Sequence, residues 1–323
     1  SESGKLLYCD HFEFIADSPQ ELLNSDQIIL KTTNIKLSTL ESLIYIEGIR
    51  ISPKDSYWDK RMENGGGFLY TNINAVDVTG VTFDRQKGKN YLEADLFSIY
   101  STDIKYLTIN NENPNSEQDP IKQQSGDSVI SHDTWSLYNI LSPILHSISI
   151  HKINVEKTRF NYTITQNGYT DVYTLGQFDF HANNFLIDSL SEKQKRFWYV
   201  DDFIMTGSDI NGLIASNNVD VSIAYLRLNT TDKQFNVSDI KLNPINPSFK
   251  KDYISGLIKG INVDGLEYNS GVSANQLELE SPNIEYFRSG KEKAGLPSKG
   301  SQNIAANIFD ILSPYTDFLS VKR

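Results

Sequence analysis

A single cysteine, Cys9, in 323 residues leaves no internal disulfide, no Cys-rich metal site and no CxxC redox pair. Beside an apolar stretch it reads as a small buried hydrophobe rather than a nucleophile, and the bulky Tyr8 before it makes a poor lipidation site. Basic residues are also short. The 30 Lys and Arg stand against 41 Asp and Glu, for a net charge of −11 and a pI near 5.0. No basic face can be drawn, so nucleic acid is excluded as a partner. No apolar run approaches the ~20 residues that span a bilayer. Ser1 to Leu7 lacks the charged-then-apolar order of a signal peptide, so any export signal is expected to be removed or outside this sequence.

The signatures of catalysis are missing too. The five histidines, His11, His132, His146, His151 and His181, form no HExxH or HxH pair. There is no GxSxG elbow, Walker motif or EF-hand loop, and the oxygen ligands of Asn110 to Asp119 lack calcium-loop spacing. Gly65-Gly66-Gly67 has no following Lys-Ser/Thr, so it reads as a flexible turn rather than a phosphate loop. Asp10-His11 and Asp201-Asp202 occupy one repeat position, which favours a capping or turn role over a carboxylate site. No catalytic residue, metal ligand or cofactor is expected.

What the chain does have is a repeat. Leu7-Tyr8-Cys9-Asp10-His11-Phe12 matches Trp198-Tyr199-Val200-Asp201-Asp202-Phe203, at an offset of 199 − 8 = 191. At the same offset Ile35 to Thr39 faces Leu226 to Thr230, and Ile46 to Pro53 faces Val237 to Pro244. Farther on the order persists while spacing slips. Gly80 to Phe83 resembles Gly265 to Tyr268, Ile104-Lys105-Tyr106 resembles Ile284-Glu285-Tyr286, and Asn139 to Pro143 resembles Asp310 to Pro314, now offset by 314 − 143 = 171. Repeats diverge in this way, by changing loops and keeping core strands. The reading divides the chain into a first β-rich repeat, 1–190, and a second, shorter or truncated one, 191–323, as in a piece of a longer array.

Within the unit the period is that of β-structure. Phe160, Tyr162 and Ile164 alternate with polar residues, Asn167-Gly168 predicts a tight turn, and Asp171 to Phe180 returns antiparallel with Phe178 and Phe180 on one face. Ile35/Leu37, Ile49/Ile51, Ile148/Ile150, Leu226/Leu228 and Leu277/Leu279 alternate likewise. Ile148/Ile150 and Ile153/Val155 differ in parity, which predicts a bulge or bend. The 17 Tyr and 16 Phe suit pleated faces. Short helices are expected after the capping box Ser18-Pro19-Gln20-Glu21, through Asn24, and over Thr134 to Leu141 and Ile304 to Leu312. Asn110 to Gln124 and Ser289 to Gln302 read as exposed loops.

The fold class expected is therefore mainly β: antiparallel strands in two diverged repeats forming a curved, groove-like sheet with a few short helices. Leu141-Ser142-Pro143 leading into Ser149-Ile150-His151-Lys152 and on to Phe160-Asn161-Tyr162, a short helix, an amphipathic strand and an "xFxY" strand, resembles the AsmA-like and TamB-like envelope proteins of Gram-negative bacteria. Leu226-Arg227-Leu228 into Phe235 to Pro244 has a similar look. The resemblance to this repeating β-groove, or bridge-like, lipid transfer group implies a long groove that holds phospholipid or other acyl lipid without chemistry. It also implies a periplasmic or cell-envelope place, an anchor outside this chain, and envelope membrane proteins as partners. Ile148, Ile150, Phe160, Tyr162, Ile164, Phe178, Phe180, Leu226 and Leu228 are the expected lining. The competing expectation is a structural or glycan-binding β-rich module of a bacterial surface complex, with Trp58, Trp135 and Trp198 as sugar-stacking candidates.

Overall fold

The computed structural model describes residues 11–110, 145–287 and 320–321, apart from short gaps at 19, 25–27, 56–57, 59–65, 87–88, 167, 195–198, 216–217, 247–252 and 269–271. It is mainly β, 82% strand, built as one large, mostly antiparallel, curved and open sheet. The first ten strands are β1 (Glu13–Ala16), β2 (Gln20–Asn24), β3 (Ile28–Thr32), β4 (Asn34–Ser38), β5 (Leu43–Pro53), β6 (Gly66–Thr79), β7 (Thr82–Gln86), β8 (Lys89–Asn110), β9 (Ser147–Gln166) and β10 (Tyr169–Ile187). Helix α1 (Ser189–Gln194) follows, capped where the Asp188 carboxylate accepts from the backbone N–H of Leu190 and Ser191 at 2.9 and 2.6 Å. Then come β11 (Asp202–Ile214), β12 (Val219–Asn229), β13 (Gln234–Pro244), β14 (Tyr253–Asp264), β15 (Glu267–Tyr268), β16 (Val272–Ala274), β17 (Gln276–Glu280), β18 (Asn283–Phe287) and β19 (Ser320–Val321).

The main path runs β1-β4-β5-β6-β8-β9-β10-β11-β12-β13-β14-β17, twelve strands wide. Pairing is antiparallel along it except between β8 and β9, which run parallel. Strands from before and after residue 190 share this sheet, because β10 pairs with β11 from Val172↔Leu213 to Asn183↔Asp202. Extended contacts join sheet neighbours only, save for α1 against β10 and β12 against β14.

Two local expectations are corrected. The capping box predicts a helix from Pro19 to Asn24, yet Gln20–Asn24 is strand β2, paired with β3 from Gln20↔Thr32 to Asn24↔Ile29. A cap contributes only about 1 kcal/mol, and the edge of a long sheet offers the same backbone a full ladder. Nor is the triple glycine simply a turn, since Gly66 and Gly67 open β6. There the Tyr106 ring lies where a Cβ on Gly67 would project, so the sequence keeps a residue without one. The helices expected at 134–141 and 304–312 and the loop expected at 289–302 lie outside the described residues, as does the 110–124 loop beyond Asn110, which ends β8.

Particular contacts recur at the offset of 191. Thr39 Oγ1 accepts from Phe12 N–H at 2.7 Å and donates to Phe12 C=O at 3.2 Å. Thr230 Oγ1 clips Phe203 in the same way at 2.7 and 3.1 Å, with 39 + 191 = 230 and 12 + 191 = 203. Left-handed residues also recur in pairs: Ser42 and Lys233 (φ 51° and 56°), Gly48 and Asp239 (63° and 53°), Gly80 and Gly265 (66° and 67°), Ser101 and Ser281 (50° and 44°). Gly80 has a second constraint, because an added Cβ would run into the Asp95 carboxylate; Asn275 stands in that place beside Gly265. The left-handed penalty is about 1–2 kcal/mol, so Gly80→Ala is expected to cost about 2 kcal/mol once the clash is added. A urea midpoint indistinguishable from wild type would refute that.

One line of such residues organises the sheet. Gly48 on β5, Ser101 on β8, Lys157 on β9, Asp209 on β11 and Asp239 on β13 all have φ between 50° and 63°. They lie in one band, since the paired registers on either side skip Gly48/Asn74, Asn74/Ser101 and Asp209/Ala224/Asp239. At the ends of the band a whole strand is divided, as β1/β2 and β3/β4 on one side and β17/β18 on the other. Passing through it, the side-chain alternation shifts by one. On β11 the apolar face shows Phe203 and Met205 before Asp209, then Ile210 and Gly212 after it. This crease lets long strands keep a single apolar face across a sharp bend.

Candidate functional site

Below the crease, directly opposed residues form one unbroken apolar row. It runs Ala16–Ile35–Ile46–Val76–Ile99–Val155–Phe180–Met205–Leu228–Phe235–Val263–Leu277, one residue from each of the twelve strands. With strands ~4.8 Å apart, the row is roughly 50 Å long. Above the crease a second row runs from Leu30 through Ile51, Thr71, Ile104, Phe160, Leu175, Ile210, Ile223 and Ile240 to Ile258, with Thr71 its one polar member. Both rows open on the same side. A Cβ on Gly207, which pairs with Phe178 and Leu226, would meet Leu175 and Ile210 at 3.0 and 3.5 Å.

The nine residues expected to line a groove all fall on this face. Ile148 and Ile150 pair with Leu92 and Ala94 on β8 and with Ile187 and Phe185 on β10. Ile150 belongs to a buried cluster with Val78, Val81 and Ala94. Phe160 joins the upper row. Tyr162 stacks between Tyr106 and Tyr173, with ring centroids 5.5 and 6.0 Å away. Ile164 faces Thr108 and Asp171, so the lining turns polar at that end. Phe178 faces Gly207, and Phe180 lies 5.5 Å from the Phe203 ring. Leu226 and Leu228 pair with Val237 and Phe235. The predicted parity change on β9 is real but needs no extra residue there: Ile150↔Phe185 and Lys152↔Asn183 keep register, and Asn184 turns left-handed at φ 54°.

Most of the row was not singled out by alternation. Met205, Phe235 and Val263 sit in short half-strands whose parity is reset at the crease. Ile153 and Phe185 pack against both buried clusters, the one around Ile150 and the one containing Ala182, Val200, Phe203, Leu228 and Leu266. The apolar surface is thus continuous across the boundary between repeats.

The opposite face is mixed: Phe68, Leu107, Val172 and Leu213 lie in line across it, and elsewhere side-chain ladders tie it. Arg159 Nε lies 2.9 Å from Asp103, and His181 Nδ1 lies 3.0 Å from Asn154. Asn236 donates to Asn262 at 2.9 Å, and Asn262 donates to Glu280 at 2.8 Å. Trp58 covers part of the β6 region, 4.2 Å from the Phe68 ring and 6.0 Å from Tyr70. Phe68 is 1% exposed, so that aromatic surface is already taken. Trp135 and Trp198 lie outside the described residues.

Asp77, opposite Tyr45, has a buried Oδ1 without a hydrogen-bond partner. Burial raises its carboxyl above the usual 3.8 and, with Glu47 and Asp77 nearby, raises the Tyr45 phenol as well. The folded state therefore holds the Asp77 proton more tightly than the unfolded state. Its charged form burdens the fold at neutral pH, and the burden lifts as pH falls through the raised value. Asp77→Asn is expected to stabilise the protein at pH 7, with the gain shrinking toward zero below 3.8. Thermal melts across pH check this, and a gain that grows on acidification would refute it.

No protein-family model matches this chain, and no curated protein sequence matches it. Among the described residues no group of three or more His, Cys, Asp or Glu side chains is placed to hold a metal ion.

Proposed function

We propose that the apolar face is an open groove that holds and conducts lipid acyl chains, in keeping with the resemblance to bridge-like lipid transfer proteins. The observation that carries the reading is the twelve-residue apolar row, unbroken across a sheet whose strands make their extended contacts almost only with their sheet neighbours. A row roughly 50 Å long exceeds a single acyl chain, which spans about half of a ~30 Å bilayer core. Each methylene shielded from water contributes about 0.8 kcal/mol, and the row offers the same apolar surface at every step. A chain can slide along it without a large barrier. No catalysis is invoked. On this reading the protein works in the cell envelope, where lipid must cross an aqueous gap between membranes, and its partners are membrane proteins that load and unload it.

The competing reading, a structural or glycan-binding module, draws less support, because Trp58 is packed on Phe68 rather than offered to a sugar ring. The deciding experiment is lipid extraction and mass spectrometry on the purified protein, followed by reloading of delipidated protein from vesicles. Co-purifying phospholipid at a fixed stoichiometry is expected. A well-folded protein that carries none and takes up none would overturn the groove.

A further inference from the structure

Along β8, β9 and β10 the apolar face terminates differently at the two ends of the strands. At the lower end Leu92, Ile148 and Ile187 pair across the three strands, and Ile187 is the last residue of β10, so the lining stays apolar almost to the strand ends. At the upper end the row beyond Phe160 is Tyr106, Tyr162 and Tyr173, and beyond that stand Thr108, Ile164 and Asp171. The three rings stack, with neighbouring centroids 5.5 and 6.0 Å apart and planes inclined by 28° and 25°.

The Tyr106 phenol points outward, toward the strand ends. Tyr106 pairs with Leu69, yet its oxygen lies where a Cβ on Gly67 would stand, one rung farther out and opposite Thr108. At the other end of the stack the Tyr173 ring lies over Gly212, 3.4 Å from the place of a Cβ. The aromatic band thus reaches from β6 to β11 with a glycine under each end. Thr108 Oγ1 beside it is closed off from solvent and has no hydrogen-bond partner among the described residues. Tyrosine suits a boundary between hydrocarbon and water, because its ring is apolar and its tip polar, and at membrane surfaces it settles at headgroup level. We propose that this tyrosine band is the head-group subsite of the groove. A phospholipid lies with its acyl chains on the apolar rows and its glycerol and phosphate oxygens at the upper ends of β8, β9 and β10. There those oxygens accept hydrogen bonds from the Tyr106 and Tyr162 hydroxyls. The lower ends place leucine and isoleucine at the outer rungs, so the groove takes its lipid in one orientation.

This inference rests on the lipid reading, and its test separates the two. The whole chain is loaded from phosphatidylcholine vesicles containing one of two phosphatidylethanolamine probes. One carries a photoreactive diazirine on the head amine, the other at the end of an acyl chain. After irradiation the cross-linked peptides are identified by mass spectrometry. The head probe is expected to mark residues 106–109 and 162–173 several times more often than residues 89–94 and 147–150, while the tail probe marks the apolar rows. Head cross-links spread equally over both ends, or gathered at the lower one, would overturn the subsite and leave the groove standing on its tail cross-links. Cross-links from neither probe would sink the groove and the subsite with it. Tyr106→Phe with Tyr162→Phe keeps the stacked rings and removes the donors. Fold and tail cross-links are then expected to persist, while the upper-to-lower ratio of head cross-links falls about tenfold. An unchanged ratio would overturn the part assigned to the two hydroxyls.

Discussion

Phe178→Asp combined with Leu226→Asp is expected to remove at least nine-tenths of the bound lipid while leaving the sheet folded. The two side chains flank Gly207, through Phe178↔Gly207 and Gly207↔Leu226. Because Gly207 contributes no side chain, they form the lining on either side of that gap, two strand spacings or roughly 10 Å apart. Both are half-buried rather than sealed in a core. In the empty groove a carboxylate at either place can keep its water, so folding is expected to survive. With a chain in the groove that water must leave, and an unpaired carboxylate against hydrocarbon costs several kcal/mol. Every 1.4 kcal/mol is a tenfold loss of affinity, which makes the expected depletion a conservative figure. The control places two carboxylates on the polar face, as Asn72→Asp and Asn211→Asp, both exposed in the folded protein. Extracted lipid per mole of protein is the readout, with circular dichroism to confirm folding. Equal lipid in the groove variant and the control would refute the placement of the lining.

The crease explains which parts of this structure were legible in the sequence. Alternation exposed the strands and their apolar sides within each half, as at Phe160/Tyr162/Ile164 and Leu226/Leu228, and the Asn167-Gly168 pair marked the β9–β10 hairpin, where two residues separate Gln166 from Tyr169. What alternation could not show is that Val155 and Phe160, of opposite parity on β9, share one face, as do Phe180 and Leu175 opposite them on β10. A left-handed residue resets the phase, and no residue type reserves that conformation. It falls on Gly48, but also on Ser101, Lys157 and Asp209. Lysine and serine at φ near 50° carry no sequence mark, because the strain is held by the pairing on both sides rather than favoured locally. The strand at Gln20–Asn24 was hidden for the opposite reason, a clear local helix signal outweighed by pairing with a neighbour. The offset of 191 was the more reliable guide, since the two Thr–Phe clips recur at it, as do the left-handed pairs Ser42/Lys233 and Gly48/Asp239.

The same one-dimensional build leads to the second large effect. Phe203 is 2% exposed, with its ring 5.5 Å from Phe180 and its backbone N–H and C=O both bound to Thr230. It packs in a cluster with Ala182, Val200, Leu228 and Leu266. Phe203→Ala is expected to cost about 3–5 kcal/mol, the range for emptying a buried phenylalanine site. The clip holds the backbone in place, so the cavity has little room to collapse. Because extended contacts join neighbouring strands almost exclusively, stability should be close to a sum of strand and neighbour terms. The loss is then local. Amides of β11, β12 and β13 are expected to exchange with solvent about 10²–10³ times faster, while those of β5 and β6 keep their wild-type rates. Phe12, the equivalent residue in the first repeat, is less buried, so Phe12→Ala should cost clearly less and act at the other margin. Acceleration spread evenly over all strands would mean that the twelve-strand sheet opens as one cooperative unit, and the neighbour-by-neighbour account of its stability would fail.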